Sequence, residues 1–152
     1  MFTLVPSHFF NPEAAREALA EVVELQEGDE VRYLDIPTYD AVLVFTEGGD
    51  SLVDGTPEIY QLLTRLPACT EYNKILCSRL DGRLYLAIAQ GKSLLLANSF
   101  PAPDFTTAEY YIFLSLKSLQ LNPEVSTICW LTPLEADDEM SLYRYFKSVV
   151  RL

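Results

Sequence analysis

The chain has 152 residues, of which 49% are apolar, 12% aromatic and 22% charged, the make-up of an ordinary globular domain rather than of a disordered or fibrous chain. Its formal charge of -11, from 22 acidic against 11 basic residues, repels phosphodiester backbones and anionic membrane surfaces, so general nucleic-acid binding is disfavoured. Cys69, Cys77 and Cys129 form no C-x-x-C pair and imply neither a disulfide framework nor a zinc knuckle; with no apolar run of about 20 residues and no export leader, a soluble cytoplasmic protein is expected.

In chain order, FTLV reads as a short strand stopped by Pro6. Asn11-Pro12-Glu13 supplies a helix start, with Asn as cap and Pro at the first helical position. Ala15, Ala18, Leu19, Val22 and Val23 mark one apolar face of a helix predicted to end near Gln26, before Gly28. VRYLDI and AVLVFT are predicted strands separated by the turn Pro37-Thr38-Tyr39-Asp40. GGDSLVDG is the most flexible-looking segment, and Thr56-Pro57-Glu58 opens a second helix that runs to about Leu66, where Pro67 stops it.

Beyond Pro67, KILCSRL, RLYLAIA and SLLLANSF are three strand candidates joined by Asp-Gly and Gln-Gly-Lys, which are hairpin signals, so an antiparallel meander is predicted. Thr106 and Glu109 form a capping-box pattern for the helix TAEYYIFLSLKSLQL, ended by Asn122-Pro123. Apolar residues cover most of its circumference, which predicts burial on more than one side. STICWL reads as a central strand covered on both faces, and DDEMSLYRYFKSVV as a closing amphipathic helix. On that helix the acidic run from Glu135 to Glu139 favours the N-terminus electrostatically, and the cations Arg144, Lys147 and Arg151 gather at its end. Tyr143, Phe146 and Val150 track one helical face, while Tyr145 points elsewhere.

Three antiparallel strands, a helix, a central strand and a further helix make an α/β fold with a mixed sheet, in the order of the ribonuclease H-like lobe that is duplicated in actin-like ATPases. Residues 67–152 are expected to form such a lobe, and 1–66 part of a preceding lobe whose opening meander is absent. Ribonuclease H-type nuclease chemistry needs carboxylates converging on metal ions, and neither KILCSRL nor STICWL carries one. Glu109 is accounted for as the capping residue, and His8, the only histidine, has no second histidine as partner and sits beside Phe9 and Phe10 as a packing residue.

Phe2-Thr3-Leu4-Val5-Pro6 with His8-Phe9-Phe10, Leu94-Leu95-Leu96-Ala97-Asn98-Ser99-Phe100, and Phe105-Thr106-Thr107-Ala108-Glu109-Tyr110-Tyr111 resemble segments of an uncharacterised bacterial family, number 3822 among the domains of unknown function. The resemblance covers nearly the whole chain. It implies an actin-like ATPase relative, similar in arrangement to pilus-assembly and cell-division actin homologues, and brings no established activity with it. Actin-like ATPases wrap a glycine-containing hairpin from each lobe on the nucleotide phosphates, and here the first lobe's hairpin is expected to be missing.

Asp81-Gly82 stands where the second lobe's phosphate hairpin is expected, which makes these residues the candidates for a nucleotide-phosphate contact, with Arg83 as a further anion contact. The competing reading is a plain two-residue type I′ turn, for which Asp-Gly is a preferred pair, and the closeness of the flanking strands favours it. Tyr110, Tyr111, Tyr143, Tyr145 and Phe146 put aromatic surface on two helices, a feature of protein contacts. The expectation is a non-catalytic protein without cofactor or metal that acts through a protein partner or as a homo-oligomer. The alternative is an ATP- and Mg²⁺-binding relative whose site is completed by another chain.

Overall fold

A computed structural model describes residues 1–47, 52–53 and 56–152, and these form two compact units, Met1–Tyr60 and Gln61–Leu152. Most of GGDSLVDG lies outside the described residues.

The first unit is built on a three-stranded antiparallel sheet. Strands β1 (Phe2–Pro6) and β2 (Val31–Ile36) flank β3 (Ala41–Thr46). The run AVLVFT suits the central position because every one of its residues is buried. Between β2 and β3 the chain turns through a 3-10 helix over Pro37–Tyr39 and then Asp40, whose φ of 50° places it in the left-handed region that Asp tolerates better than bulkier residues.

Asn11 caps as expected, accepting from the Glu13 N–H at 3.1 Å, but the turn it opens is a 3-10 helix over Pro12–Ala14 that leads into α1 (Ala15–Ala20). The helix therefore stops well short of Gln26. Ala15 and Leu19 are buried with Val42 and Val44 of β3, whereas Val22 is 63% exposed. A helix-spaced valine pair is not enough to extend it. Arg16 reaches out of α1 and donates to the Gln26 carbonyl at 2.7 Å, which satisfies loop backbone that a longer helix would have paired internally.

After the short ladder of β4 (Leu52–Val53) with β5 (Thr56–Pro57), α2 (Glu58–Arg65) contains the break between the two units. Ile59, Leu62, Leu63 and Leu66 recur at i, i+3, i+4 and i+7 and are fully buried. A 3-10 turn over Leu66–Ala68, with Pro67 inside it, follows the helix.

The second unit holds a five-stranded mixed sheet in the order β10-β9-β6-β7-β8. Strands β6 (Asn73–Leu80), β7 (Arg83–Gln90) and β8 (Ser93–Pro101) form the predicted antiparallel meander. Strand β9 (Thr127–Trp130) lies parallel to β6, is buried throughout, and carries β10 (Ser148–Arg151) on its other side, again parallel. Ile75, Cys77, Leu84, Leu86, Ile88, Ile128 and Trp130 face one core, shared with Ile112 and Leu116 of α3 (Phe105–Ser118) and Leu142 of α4 (Ala136–Tyr143). Leu76, Tyr85 and Ala87, which alternate with them, are also buried.

Further local expectations are corrected by the structure. Asp104, rather than Thr106, caps α3: its Oδ1 accepts from the Thr107 N–H at 2.7 Å. The start of the helix is thus shifted by two residues, and Glu109 is free of capping duty. The closing segment is also not one helix, because α4 ends at Tyr143 and Ser148–Arg151 become a strand on the open edge of β9. Backbone groups of that edge find partners in β10, and Val149-Val150 are β-branched residues that suit a strand. Tyr143, Phe146 and Val150 consequently share no helical face.

Against the expectation of burial on more than one side, helix α3 is buried on one side only. Ala108, Ile112, Ser115 and Leu116 face the sheet, while Tyr110 is 61% and Leu114 is 48% exposed. It ends in a Schellman-type closure, with Gln120 at φ 59°, the Gln120 N–H donating to the Lys117 carbonyl at 3.1 Å and the Leu121 N–H to the Leu116 carbonyl at 2.9 Å. Asn122 then caps a separate 3-10 turn over Pro123–Val125. Among the described residues no helix is long and apolar enough to cross a membrane.

Candidate functional site

The Asp81-Gly82 turn joins β6 to β7 with no intervening loop, since Leu80 pairs directly with Arg83. Asp81 at φ 51° and Gly82 at φ 72° are both left-handed, the sign pattern that a type I′ turn requires. The Gly82 carbonyl accepts from the Ala102 N–H at 2.8 Å, which ties the turn to the end of β8. Both turn residues are exposed. Arg83 is directed across the sheet instead of toward the turn: its Nη2 donates to Ser99 Oγ at 3.1 Å, and its Nε is buried without a hydrogen-bond partner. Arg79, at the other side of the hairpin, donates through Nη2 to the Pro103 carbonyl at 2.6 Å, just ahead of the α3 cap.

The remaining residues singled out by sequence are dispersed. His8 lies in an exposed 3-10 turn against Phe9, with ring centroids 4.2 Å apart, so neither ring enters the core as a packing residue would. Glu109 accepts from Ser141 Oγ on α4 at 2.7 Å, a contact that links the two helices. Arg151 pairs with Glu139, joining β10 to the acidic first turn of α4. Among the described residues, no three His, Cys, Asp or Glu side chains are grouped so that they could hold a metal ion.

Aromatic side chains are gathered more closely. Tyr111 stacks on Phe100 at 4.6 Å and meets Tyr110 edge-on at 5.3 Å. Phe113 contacts Tyr145 at 4.8 Å and Phe146 at 5.8 Å. Of these, Phe146 is buried while Tyr110 and Tyr145 remain at the surface, so the outer side of α3 presents an apolar strip through Tyr110, Phe113 and Leu114. Two grooves of about 300 and 480 Å³ adjoin this strip and share Phe113 and Lys117; the larger continues to Leu121 and Pro123 at the helix end. Sequence reading finds the tyrosines. It misses Phe113, Leu114 and Lys117, because the apolar pattern around α3 does not say which side meets the sheet.

A second grouping is invisible in the sequence. Cys69 precedes β6, Cys129 lies in β9, and both line a pocket of about 70 Å³ with Thr70, Glu71 and Thr127. The neighbouring Cys129 thiol holds the Cys69 thiol below its ordinary pKa, with help from the Lys74 charge. The Cys69 thiol, together with burial, pushes Cys129 up in turn. Cys77 is on the opposite face of the sheet, since Cys129 registers with Leu76, and burial drives its thiol well up.

A mixed sheet with its first strand in the middle, a meander on one side and two parallel strands on the other is the ribonuclease H-like arrangement found in the actin-like ATPase fold. A crystal structure from Bacteroides thetaiotaomicron VPI-5482, described as a protein with actin-like ATPase fold and unknown function, is similar at a TM-score of 0.78 and 19% sequence identity. The likeness covers 99% of this chain and 64% of that one, so the chain spans less than two thirds of that neighbour's length. At this identity the likeness shows the fold alone. The chain belongs to the family described as protein of unknown function (DUF3822), which matches residues 54–149. No curated protein matches it.

Proposed function

We propose that this protein works without catalysis, through protein contacts, and that a second copy of the chain is its partner. The observation that carries this reading is the apolar strip on the outer side of α3, where Tyr110 is 61% and Leu114 is 48% exposed beside the groove at Phe113. Apolar surface of this kind gains free energy when it is covered, at about 25 cal/mol per Å². Two α3 helices crossing antiparallel about a two-fold axis at Phe113 and Leu114 would place Lys117 of each copy beside Tyr110 of the other. That pairing brings an ammonium to an aromatic ring and covers both strips with one isologous contact. In this reading residues 67–152 act as a second actin-like lobe and 1–66 as part of a preceding one.

The formal charge of -11 on each copy opposes the contact, so association is weak at low ionic strength and strengthens as salt screens the repulsion. Sedimentation velocity across a concentration and salt series tests this. The expected result is a monomer–dimer equilibrium that shifts toward dimer with salt and is abolished by Leu114→Asp. A monomer at high concentration and high salt overturns it.

The actin-like ATPase fold of the structural neighbour supports a second reading, ATP with Mg²⁺ held at the Asp81-Gly82 turn with another chain completing the site. A thermal shift with ATP and Mg²⁺ that Asp81→Ala and Gly82→Val both remove would support it. Saturating nucleotide without a shift rejects it for this chain.

A further inference from the structure

We propose that Cys69 and Cys129 are a peroxide-sensitive thiol pair that closes reversibly to a disulfide within the pocket they share. Both residues are nearly buried, at 3% and 4% exposure, yet both line a pocket of about 70 Å³. That space takes water-sized molecules and excludes a tripeptide disulfide. The oxidant that fits is therefore a hydroperoxide of the smallest kind, hydrogen peroxide.

The chemistry is distributed between the two sulfurs by their surroundings. Lys74 Nζ donates to the Cys69 carbonyl and, at 2.9 Å, to the Glu71 carbonyl, which fixes its ammonium beside Cys69. The Cys129 thiol across the shared pocket and the Lys74 charge both favour the thiolate of Cys69, which is the nucleophilic form, so Cys69 is the attacking sulfur and Cys129 the resolving one. The Cys69 thiolate attacks one peroxide oxygen and the O–O bond breaks; Cys69 becomes a sulfenic acid, and the departing hydroxide takes a proton to become water. The Cys129 sulfur then attacks the sulfenic sulfur, the S–O bond breaks, and the hydroxyl leaves as a second water with the Cys129 proton. Two thiols and one peroxide become one disulfide and two waters.

Cys77 has no part in this. It is fully buried on the other face of the sheet, in the core with Ile75 and Trp130. It serves as an internal control.

The test uses the whole chain, reduced and then exposed to hydrogen peroxide while circular dichroism confirms that it stays folded. Intact mass should fall by about 2 Da, peptide mapping should show Cys69 joined to Cys129, and dithiothreitol should restore the starting mass. Cys77→Ser should behave as the natural chain, and Lys74→Met should slow the reaction several-fold. Cys129→Ser should instead accumulate a Cys69 sulfenic acid that dimedone traps. An unchanged mass, a linkage that includes Cys77, or a disulfide between chains overturns the proposal, and each can be read on the unsubstituted protein if a variant fails to fold. These outcomes are independent of the oligomer measurement, since the pocket that holds the thiol pair shares no lining residue with the grooves beside the α3 strip.

Discussion

Ser141 Oγ on α4 donates a 2.7 Å hydrogen bond to Glu109 Oε1 on α3, and so couples two helices that lie on either side of β9 in the chain. A charge-assisted bond in a partly buried setting contributes about 1.5–3 kcal/mol. Glu109→Ala and Ser141→Ala should each lower the unfolding free energy measured by urea titration by an amount in that range or slightly less. The double variant should cost little more than either one, and additive losses would show that the two groups act separately.

Asp104 supplies the cap of α3, and the Thr107 backbone N–H, followed by its hydroxyl, holds the carboxyl below its ordinary pKa. Because the folded value lies below the unfolded one, this contribution is complete above the unfolded pKa of about 3.9 and is lost as the pH falls through the folded value. Asp104→Ala should lower Tm at neutral pH, and the difference from the natural chain should shrink as the solution is acidified below pH ~4. A Tm difference independent of pH would refute an ionised cap.

Burial on one side of α3 separates two neighbouring aliphatic residues. Ile112 is fully buried, whereas Leu114 is 48% exposed. Ile112→Ala should cost about 2–5 kcal/mol in chemical denaturation, and Leu114→Ala about 0.5 kcal/mol or less. Comparable losses would mean that α3 is covered on both sides, as its composition alone suggests.

Gly82 adopts φ 72° with open space where a side chain would stand, so a substitution there meets backbone strain and no clash. Gly82→Ala should therefore destabilise by about 1 kcal/mol, and Gly82→Val by more, because the β-branched residue tolerates the left-handed region least. Equal stability of all three proteins in a thermal melt would contradict the type I′ geometry.

Strand periodicity and hairpin chemistry are legible in the residues themselves: the Asp-Gly and Gly-Lys pairs place the β6-β7-β8 turns, and the apolar TICW run places β9 inside the sheet. These are local signals, since a two-residue turn and a period-2 pattern depend on neighbours along the chain. The end of α1, the cap of α3 and the identity of Ser148–Arg151 as a strand are less legible. Two of these are decided by a partner beyond the local pattern, Arg16 for the loop carbonyl and the open edge of β9 for Val149 and Val150, while at α3 two nearby capping residues compete and the Thr107 N–H goes to Asp104 rather than leaving Thr106 as the cap.

The candidate sites divide in the same way. Sequence by itself determined the mixed α/β class, the β6-β7-β8 meander, the acidic balance, the Asp81-Gly82 turn and the presence of tyrosines on α3, because composition and short-range patterns carry them. Tertiary structure alone decided that Phe113 and Leu114 border an exposed strip and that Cys69 and Cys129 line one pocket. The physical reason is that an apolar helix or a lone thiol has no fixed environment until the chain packs, and packing brings together residues that no local rule relates.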